Sequence, residues 1–189
     1  MKVIQLFKND ALLIKRAAAG NRQAQRKIYE KNSGKMLSIC RQYVKDLHHA
    51  EEVMLNGFFK VFTHLEDFRE EGSFEGWMRK IMVREAISFL RTNKRNIFAE
   101  DELPENADFS YSFTSDFNVA YIQEVIDGLP EGYKMVFLMY AVEGYKHHEI
   151  AKMLNITEGT SKSQLFKARK MLQEKLAQEN RTGYGTGKI

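Results

Sequence analysis

The sequence predicts an all-α protein built from two small helical domains joined by a flexible acidic linker, with a helix-turn-helix in the second domain. Apolar residues recur at intervals of three to four positions along most of the chain, as expected for amphipathic helices. No segment alternates Val, Ile or Thr with polar residues in the manner of a strand. Only two prolines and 12 glycines interrupt the 189 residues, which favours long helices.

Composition narrows the classes of protein to which this chain can belong. Hydrophobic residues make up 43% of the chain and charged residues 29%, which predicts a packed core. The net charge of +4 indicates a polyanionic partner only weakly, because 25 acidic residues offset 29 basic ones. No stretch approaches the ~18 apolar residues of a membrane span. Lys8, Asn9 and Asp10 interrupt the N-terminal apolar run before it reaches signal-peptide length, so we expect a cytoplasmic protein.

The residues most able to hold a metal do not form a recognisable site. Cys40 is the single cysteine and can form neither an internal disulfide nor a zinc finger, so we predict a small buried side chain. His148 begins the segment HEIAK, which starts like a zinc-binding helix, but Lys152 occupies the position of the second ligand. We therefore expect surface histidines in the pairs 48–49 and 147–148, and neither a metal nor a cofactor.

The first domain is predicted over residues 1–95. Helical periodicity predicts helices over residues 11–19, 22–31, 35–45, 49–65 and 74–93. Turn-forming and polar residues predict breaks between these helices at residues 20–21, 32–34, 46–48 and 69–73.

The composition changes after the first domain. Residues 96–118 contain Pro104, no Lys or Arg, and acidic side chains at positions 100, 101, 102, 105, 108 and 116, which predicts a linker. A second helical domain is predicted over residues 119–180. The Gly-rich residues 181–189 are predicted to form a disordered tail.

A helix-turn-helix is predicted in the second domain, within the segment GYKHHEIAKMLNITEGTSKSQLFKARKML. A short helix over residues 146–154 would bury Ile150 and Leu154, and Thr157 is the expected N-cap of a second helix over residues 158–177. The predicted inner face of that second helix consists of Ser161, Leu165, Ala168 and Leu172. Its predicted outer face consists of Lys162, Ser163, Phe166, Lys167 and Lys170. Such a helix suits the major groove of DNA, although an ordinary helical hairpin with a solvated basic face has the same pattern.

A second basic surface is predicted on the helix over residues 74–93. Trp77, Lys80, Arg84 and Arg91 follow one another at spacings of three, four and seven, which places them on one stripe. An aromatic ring beside cations suits single-stranded nucleic acid, since the ring can stack on a base while the cations meet phosphates. The loop over residues 66–73 lies where it could hold an extruded base. The alternative is that Trp77 borders the core and the cations are solvated.

Taken together, these segments resemble the extracytoplasmic-function group of bacterial RNA polymerase sigma factors. AEEVMLNGFFKVF and GSFEGWMRKIMVREAISFLR look like region two of that group, and LPEGYKMVFLMYAVEGYKHHEIAKMLNITEGTSKSQLFKARKML looks like region four. The resemblance covers residues 10–176. It implies a factor that binds core RNA polymerase, at its clamp helices and flap, and directs initiation at promoters, with no catalytic residues because the chemistry belongs to the polymerase. An anti-sigma protein is a further candidate partner.

The resemblance assigns three sets of residues. The set implied for the −35 element is Thr160, Lys162, Ser163, Gln164, Phe166, Lys167 and Lys170. The set implied for reading and melting the −10 element is Phe68, Arg69, Trp77, Lys80, Arg84 and Arg91. The set implied for polymerase binding, on the helix over residues 49–65, is Glu51, Glu52, Asn56, Phe59 and Lys60.

The chain departs from the family pattern at several of these positions. Leu55-Asn56 replaces a Gln-Glu pair that is frequent in the group, and Glu52 replaces an Asp, which changes the clamp-contact set. Gln164 replaces an Arg in the pattern Gly-Thr-Val-Lys-Ser-Arg, which changes a phosphate contact or the preferred −35 sequence.

Two alternatives stay open: a stand-alone helix-turn-helix regulator, which has no use for the Trp77 stripe, and a helical metal-dependent enzyme, which requires convergent ligands.

Overall fold

The computed structural model describes the backbone of residues 2–93 and 119–182, and the side chains of residues 10–92 and 121–178. Over these ranges the protein contains helices and no strand, so the predicted all-α class is confirmed. The chain divides into two compact units, Met1–Asn93 and Lys94–Ile189, which we call unit 1 and unit 2. The predicted linker over residues 96–118 and the last seven residues of the predicted tail lie outside the described residues.

Unit 1 is built around its last helix. Its helices are α1 (Lys2–Ala18), α2 (Arg22–Tyr43), α3 (Leu47–Thr63) and α4 (Phe74–Asn93), with a 3₁₀ turn at Leu65–Asp67 between α3 and α4. Helix α4 packs against both α2 and α3, and α1 packs against α2. The side chains of α4 that are fully excluded from solvent are Met78, Met82, Val83 and Ala86. Their spacing of four, one and three gives α4 one continuous apolar face, and the core of unit 1 forms on it.

Side-chain caps fix where the helices of unit 1 begin. The Asn21 carboxamide oxygen accepts from the amide of Ala24, and Asp46 accepts from the amide of His49, each at 2.9 Å. Ser73 Oγ accepts from the amide of Gly76 at 3.0 Å at the start of α4. Each cap satisfies an amide that the first helical turn leaves without a partner, and each lies at a predicted break.

Helix α2 corrects the prediction of a break at residues 32–34. It runs without interruption, and Asn32 is only 8% exposed within it. The Asn32 side-chain amide donates to the carbonyl of Ile28 at 2.7 Å, which satisfies a group that the prediction assigned to a turn. Ile28 and Met36, before and after Asn32, are buried on the same face. A glycine inside a helix costs ~1 kcal/mol relative to Ala, and burial of this continuous apolar stripe outweighs the cost of Gly34.

Unit 2 is built around its long last helix. Its helices are α5 (Val119–Asp127), α6 (Glu131–Phe137), α7 (His147–Leu154) and α8 (Glu158–Thr182), and α6 continues into a π-helical turn at Leu138–Val142. Helices α5, α6 and α7 all pack against α8. Helix α8 extends beyond the predicted end at residue 177. No helix of the described residues is long and apolar enough to cross a membrane.

An ion pair with a buried ammonium joins the first two helices of unit 2. Lys134 is 4% exposed, and its ammonium donates to a carboxylate oxygen of the half-exposed Asp127, whose other oxygen accepts from the Gln123 amide at 3.2 Å. A buried ammonium is stable only with such a partner, because burial removes its hydration. The pair therefore fixes α6 relative to the end of α5.

The close approach of α3 to α4 yields the first prediction. A Cβ added at Gly57 would clash with Met82 Sδ, whereas a Cβ at Gly34 would meet nothing within 4 Å. We expect Gly57→Ala to overpack the core, which costs about 1–3 kcal/mol and offsets the gain in helix propensity. We expect Gly34→Ala to stabilise unit 1 by up to about 1 kcal/mol, because it adds propensity without a clash.

Chemical denaturation of the full chain, followed through Trp77 fluorescence, measures both effects. Since both glycines are helical, the difference between the variants isolates packing from propensity. Equal stabilisation by the two substitutions would contradict the close approach.

Candidate nucleic-acid and partner surfaces

The turn between α7 and α8 has the geometry of a helix-turn-helix. Helix α7 ends at Asn155, which adopts the left-handed conformation (φ 56°) that stops a helix. Two residues later, Thr157 Oγ1 accepts from the amide of Thr160 at 2.9 Å, so the predicted N-cap of α8 is confirmed. Ile150 and Leu154 of α7 and Leu165 of α8 are buried in the angle between the helices. Of the predicted inner face, Ser161, Leu165 and Ala168 are buried, and Leu172 is half-buried.

The outer face of α8 differs from the prediction at Ser163, and two further residues of the −35 set implied by the resemblance are also buried. Ser163, predicted to face outward, is 1% exposed, and its hydroxyl donates to the carbonyl of Thr160 at 2.9 Å. Its outward placement is wrong, because the first turns of α8 are enclosed on more sides than the simple two-face pattern allows. Thr160 (7% exposed) and Gln164 (2% exposed) also have side chains inside unit 2. None of these three side chains is available to a duplex.

The surface that α8 does present is cationic. Lys162, Arg169 and Lys170 are exposed, and Phe166 and Lys167 are half-buried. We call these five residues the α8 surface. Arg169, absent from the predicted set, lies with its guanidinium carbon 5.5 Å from the centre of the Tyr140 ring, a cation–π contact that orients it. Its position one turn after Phe166 and two turns after Lys162 could have indicated it from sequence.

His147 corrects the expectation that both histidines of its pair lie at the surface. His148 is exposed, but His147 is half-buried. Its ring stacks on Tyr140 with centroids 4.7 Å apart, and its Nδ1 lies 2.9 Å from the hydroxyl of Ser161 on α8. Burial and the nearby charge of Lys162 lower the pKa of His147 below its ordinary value. The imidazole is therefore neutral near pH 7.

In unit 1, the predicted stripe on α4 is present. Lys80, Arg84 and Arg91 are exposed on one side of the helix, and Trp77 is half-buried at its start. The Trp77 ring stacks on Phe74 at 5.8 Å and contacts the ring of Phe68 at 5.6 Å. The Trp77 ring therefore borders an aromatic cluster, as the alternative interpretation predicts, and part of its surface remains accessible.

The loop before α4 is acidic and tightly turned. Glu70 and Gly72 both have positive φ, 59° and 112°, and only Gly72 adopts such a value without strain. The exposed charged side chains of the loop are Glu66, Asp67, Arg69, Glu70 and Glu71. Four carboxylates against one guanidinium repel phosphates. Most of the loop is therefore unfavourable for a nucleic-acid backbone, with Arg69 as its one cation and the half-buried ring of Phe68 as its one aromatic side chain.

Helix α3 carries an apolar surface that the sequence analysis identified only in part. Phe59 is 72% exposed, and Leu55, one turn earlier on the same face, is 54% exposed. Glu52 and Asn56 are exposed on this face as well. We call these four residues the α3 surface. The signal that could have identified Leu55 is its position opposite the buried Val53, Met54 and Phe58.

The other two residues of the predicted polymerase set flank the α3 surface. Lys60 Nζ lies 2.6 Å from a carboxylate oxygen of Glu85 on α4, whose side chain is 14% exposed. Lys60 therefore ties α3 to α4 as well as facing solvent. Glu51 is half-buried on the side of α3 that faces α2.

The described residues contain no group of three or more His, Cys, Asp or Glu side chains placed to hold a metal ion. Cys40 is fully buried, as predicted, and burial raises the pKa of its thiol to about 12. The thiol therefore stays protonated and is a poor nucleophile.

Two segments of the chain match known sequence families, one in each unit. Residues 28–96 match Sigma-70 region 2, and residues 120–172 match region 4 of Sigma-70. These matches include α3, α4 and the helix-turn-helix. The chain belongs to the sigma-70 family. Within it, the chain is a sigma factor of the extracytoplasmic-function (ECF) type, and so directs initiation of transcription at promoters.

Curated relatives span nearly the same length as this sigma factor. It is 25% identical over 185 residues to the ECF RNA polymerase sigma-E factor of Haemophilus influenzae, covering 88% of this chain and 95% of the relative. It is 29% identical over 142 residues to RNA polymerase sigma factor SigV of Bacillus subtilis, covering 75% and 84%. Among solved structures, CnrH in complex with the cytosolic domain of CnrY matches with a TM-score of 0.49 at 18% identity, covering 90% of this chain and 98% of that one.

Proposed function

We propose that this sigma factor docks on core RNA polymerase through the α3 surface, opens the −10 element with the α4 stripe, and reads the −35 element with the α8 surface. The single observation that carries the proposal is the exposure of Phe59, at 72%, beside Leu55, at 54%, the two most exposed large apolar side chains among the described residues of unit 1. An exposed aromatic and aliphatic pair with a polar rim is the composition of a protein-binding site. A stand-alone regulator would need neither this pair nor the stripe on α4.

Docking on the polymerase would use Leu55 and Phe59 as anchors. The exposed Glu52 and Asn56 form the polar rim and can hydrogen-bond basic side chains of the clamp helices. Lys60, held by Glu85, keeps α3 in register with α4, so the docked helix and the strand-opening helix move as one body. The departure from the family pattern at Leu55 thus replaces a polar contact with an apolar one.

The second prediction tests the α3 surface. Phe59→Ser should weaken binding to core polymerase by at least tenfold, because an anchor of this size typically contributes about 2 kcal/mol or more. Leu12→Ser is the matched control, since Leu12 is an apolar side chain of α1 that is 49% exposed. Binding of labelled core polymerase to each full-length variant gives the comparison. An equal effect of both substitutions, or no effect of Phe59→Ser, would exclude α3 as the docking surface.

Opening of the −10 element would use the stripe from Trp77 to Arg91. The cations can neutralise phosphates of one strand while the accessible side of the Trp77 ring stacks on a base. The carboxylates of the loop over residues 66–73 repel the strand backbone, which leaves Phe68 as its contribution next to an unstacked base. Arg69 is the only cation of this loop, so we assign it to a single phosphate contact.

The third prediction tests strand opening. Lys80→Ala combined with Arg84→Ala should leave polymerase binding unchanged, because neither residue belongs to the α3 surface, but should reduce opening of duplex promoters. A template already unpaired at −10 should restore most of the activity, since unpairing costs a few kcal/mol that such a template no longer requires.

Permanganate reactivity of −10 thymines in the holoenzyme measures the opening directly. Lys27→Ala combined with Lys45→Ala removes two exposed cations of the same unit outside the stripe and serves as the control. The assignment of the stripe fails if the two double variants open the duplex equally.

Recognition of the −35 element would use Lys162, Phe166, Lys167 and Lys170, together with Arg169. These residues lie on the second helix of the helix-turn-helix, the element that such folds insert into the major groove. Thr160, Ser163 and Gln164 contribute differently from the sequence-based expectation, because their buried side chains support the helix from inside. The replacement of an Arg by Gln164 therefore acts on packing within unit 2.

The fourth prediction separates contact from support on α8. Lys162→Ala should lower holoenzyme affinity for a promoter with an intact −35 element, by about 1–3 kcal/mol if Lys162 contacts a base, and leave a scrambled −35 promoter less affected. Ser163→Ala should leave the discrimination unchanged and lower the melting temperature instead, because its hydroxyl is bonded inside the helix. The opposite pattern, with discrimination lost in the serine variant alone, would restore the original placement of Ser163 on the DNA-facing side.

The remaining parts of the proposal concern partners and location. The chain would act in the cytoplasm without catalytic residues of its own, with promoter DNA and core polymerase, including its flap, as partners. An anti-sigma protein is a further proposed partner. Residues 96–118 would join unit 1 and unit 2 as a linker.

A further inference from the structure

His147 makes a directional side-chain contact between the two helices of the helix-turn-helix. It is the first residue of α7, and its Nδ1 lies 2.9 Å from the hydroxyl of Ser161 in the first turn of α8. Ser161 is 0% exposed, so its hydroxyl has no access to bulk water. If such a buried hydroxyl loses its hydrogen-bond partner, no water molecule can replace that partner, which is energetically unfavourable. The contact therefore has a preferred geometry, which a purely apolar contact would not impose.

The surroundings of His147 hold the ring in place. One face stacks on Tyr140, whose ring also receives the guanidinium of Arg169. The charged groups that face the imidazole are Lys162, Glu158 and Arg169, all on α8. Two of these are cations, which disfavour a charged imidazolium. The neutral ring has one N–H and one lone pair, and the Ser161 hydroxyl can complement either.

The hydrogen bond lies next to the proposed DNA-contacting residues. Ser161 immediately precedes Lys162, and its rotation about the axis of α8 determines where Lys162 and Phe166 point. On the other side, Thr157 Oγ1 lies 2.8 Å from Thr160 Oγ1 and also caps the helix. The first turn of α8 is thus fixed at two neighbouring residues, once by its own cap and once by α7.

We infer that His147 is a positioning residue for promoter recognition: through Ser161 it sets the orientation of the first turns of α8, and with it the placement of Lys162 in the duplex groove. This inference rests on the proposed −35 role of the α8 surface. His147 itself need not contact DNA for this role. The role depends on the hydrogen bond, and an aromatic ring of the same size without a nitrogen cannot supply it.

The experiment measures −35 discrimination by the holoenzyme, as the ratio of its affinities for a promoter with an intact and with a scrambled −35 element. His147→Phe keeps the stacking on Tyr140 and removes the hydrogen bond. His147→Asn keeps a polar atom close to the position of Nδ1 and removes most of the ring. His148→Asn, at the exposed neighbouring histidine, is the control. Core-polymerase binding and the melting temperature are measured for every variant.

We expect His147→Phe to lower the discrimination ratio by about fivefold, the size of one lost hydrogen bond. His147→Asn should stay within about twofold of the unsubstituted chain, and His148→Asn should be unchanged. If His147→Phe does not fold, Ser161→Ala removes the same bond from the other side and should give the same loss. Where both fold, their effects should not add, because they remove one shared interaction.

Two results would overturn the inference. One is an unchanged ratio in folded His147→Phe or Ser161→Ala holoenzyme. The other is an equal loss in His147→Asn and His147→Phe, which would mean that ring packing rather than the hydrogen bond matters. If the unsubstituted holoenzyme itself does not discriminate, the proposed −35 role of α8 fails and this inference fails with it.

Discussion

The fully buried face of α4 is the constraint on which unit 1 depends. Met78, Met82 and Ala86 have no solvent exposure, and the Met82 side chain lies where a Cβ at Gly57 of α3 would clash with it. The packing of α3 on this face of α4 limits how each helix can rotate about its axis. Phe59 on α3 and the cations of α4 face outward because they lie on the sides of these helices away from the buried faces. The two proposed surfaces of unit 1 are thus consequences of one packing arrangement, and Lys60–Glu85 adds a polar tie between them.

In unit 2, polar side chains hold the first turns of α8 in a fixed orientation. A recognition helix must expose cations along one side, yet its first turns need enough contacts to stay oriented. Here Ser161, Ser163 and Gln164 are almost completely buried beside the exposed Lys162. Short polar side chains fill this space with local hydrogen bonds, such as that of Ser163 to the carbonyl of Thr160. The outer face of α8, which is proposed to recognise the −35 element, is supported by an inner layer that is itself polar.

Sequence periodicity predicted those features of the structure that are set by residue spacing within a single helix. The buried start of the inner face of α8, the cap at Thr157 and the stripe from Trp77 to Arg91 all follow from spacing within a helix. The predictions failed where a neighbouring element decides the outcome. The break in α2 was wrong because tertiary burial of Ile28 and Met36 outweighs a glycine. A two-face pattern cannot show that packing from other helices encloses Ser163, or that His147 meets Ser161 fourteen residues later.

The position of charges explains more than their sum. A net charge of +4 on 189 residues is a weak attraction for nucleic acid. The exposed cations of α4 and α8 are local, however, and the loop before α4 carries four exposed carboxylates. In the proposed function, a phosphate at Lys80 or Arg84 would gain energy and one displaced toward Glu70 or Glu71 would lose it, because charges closer together than the ~8 Å Debye length at physiological salt are screened only in part. A strand on the α4 stripe would therefore be aligned more strictly than on a uniformly basic surface. The same carboxylates that reduce the net charge would thereby increase the precision with which the strand is held.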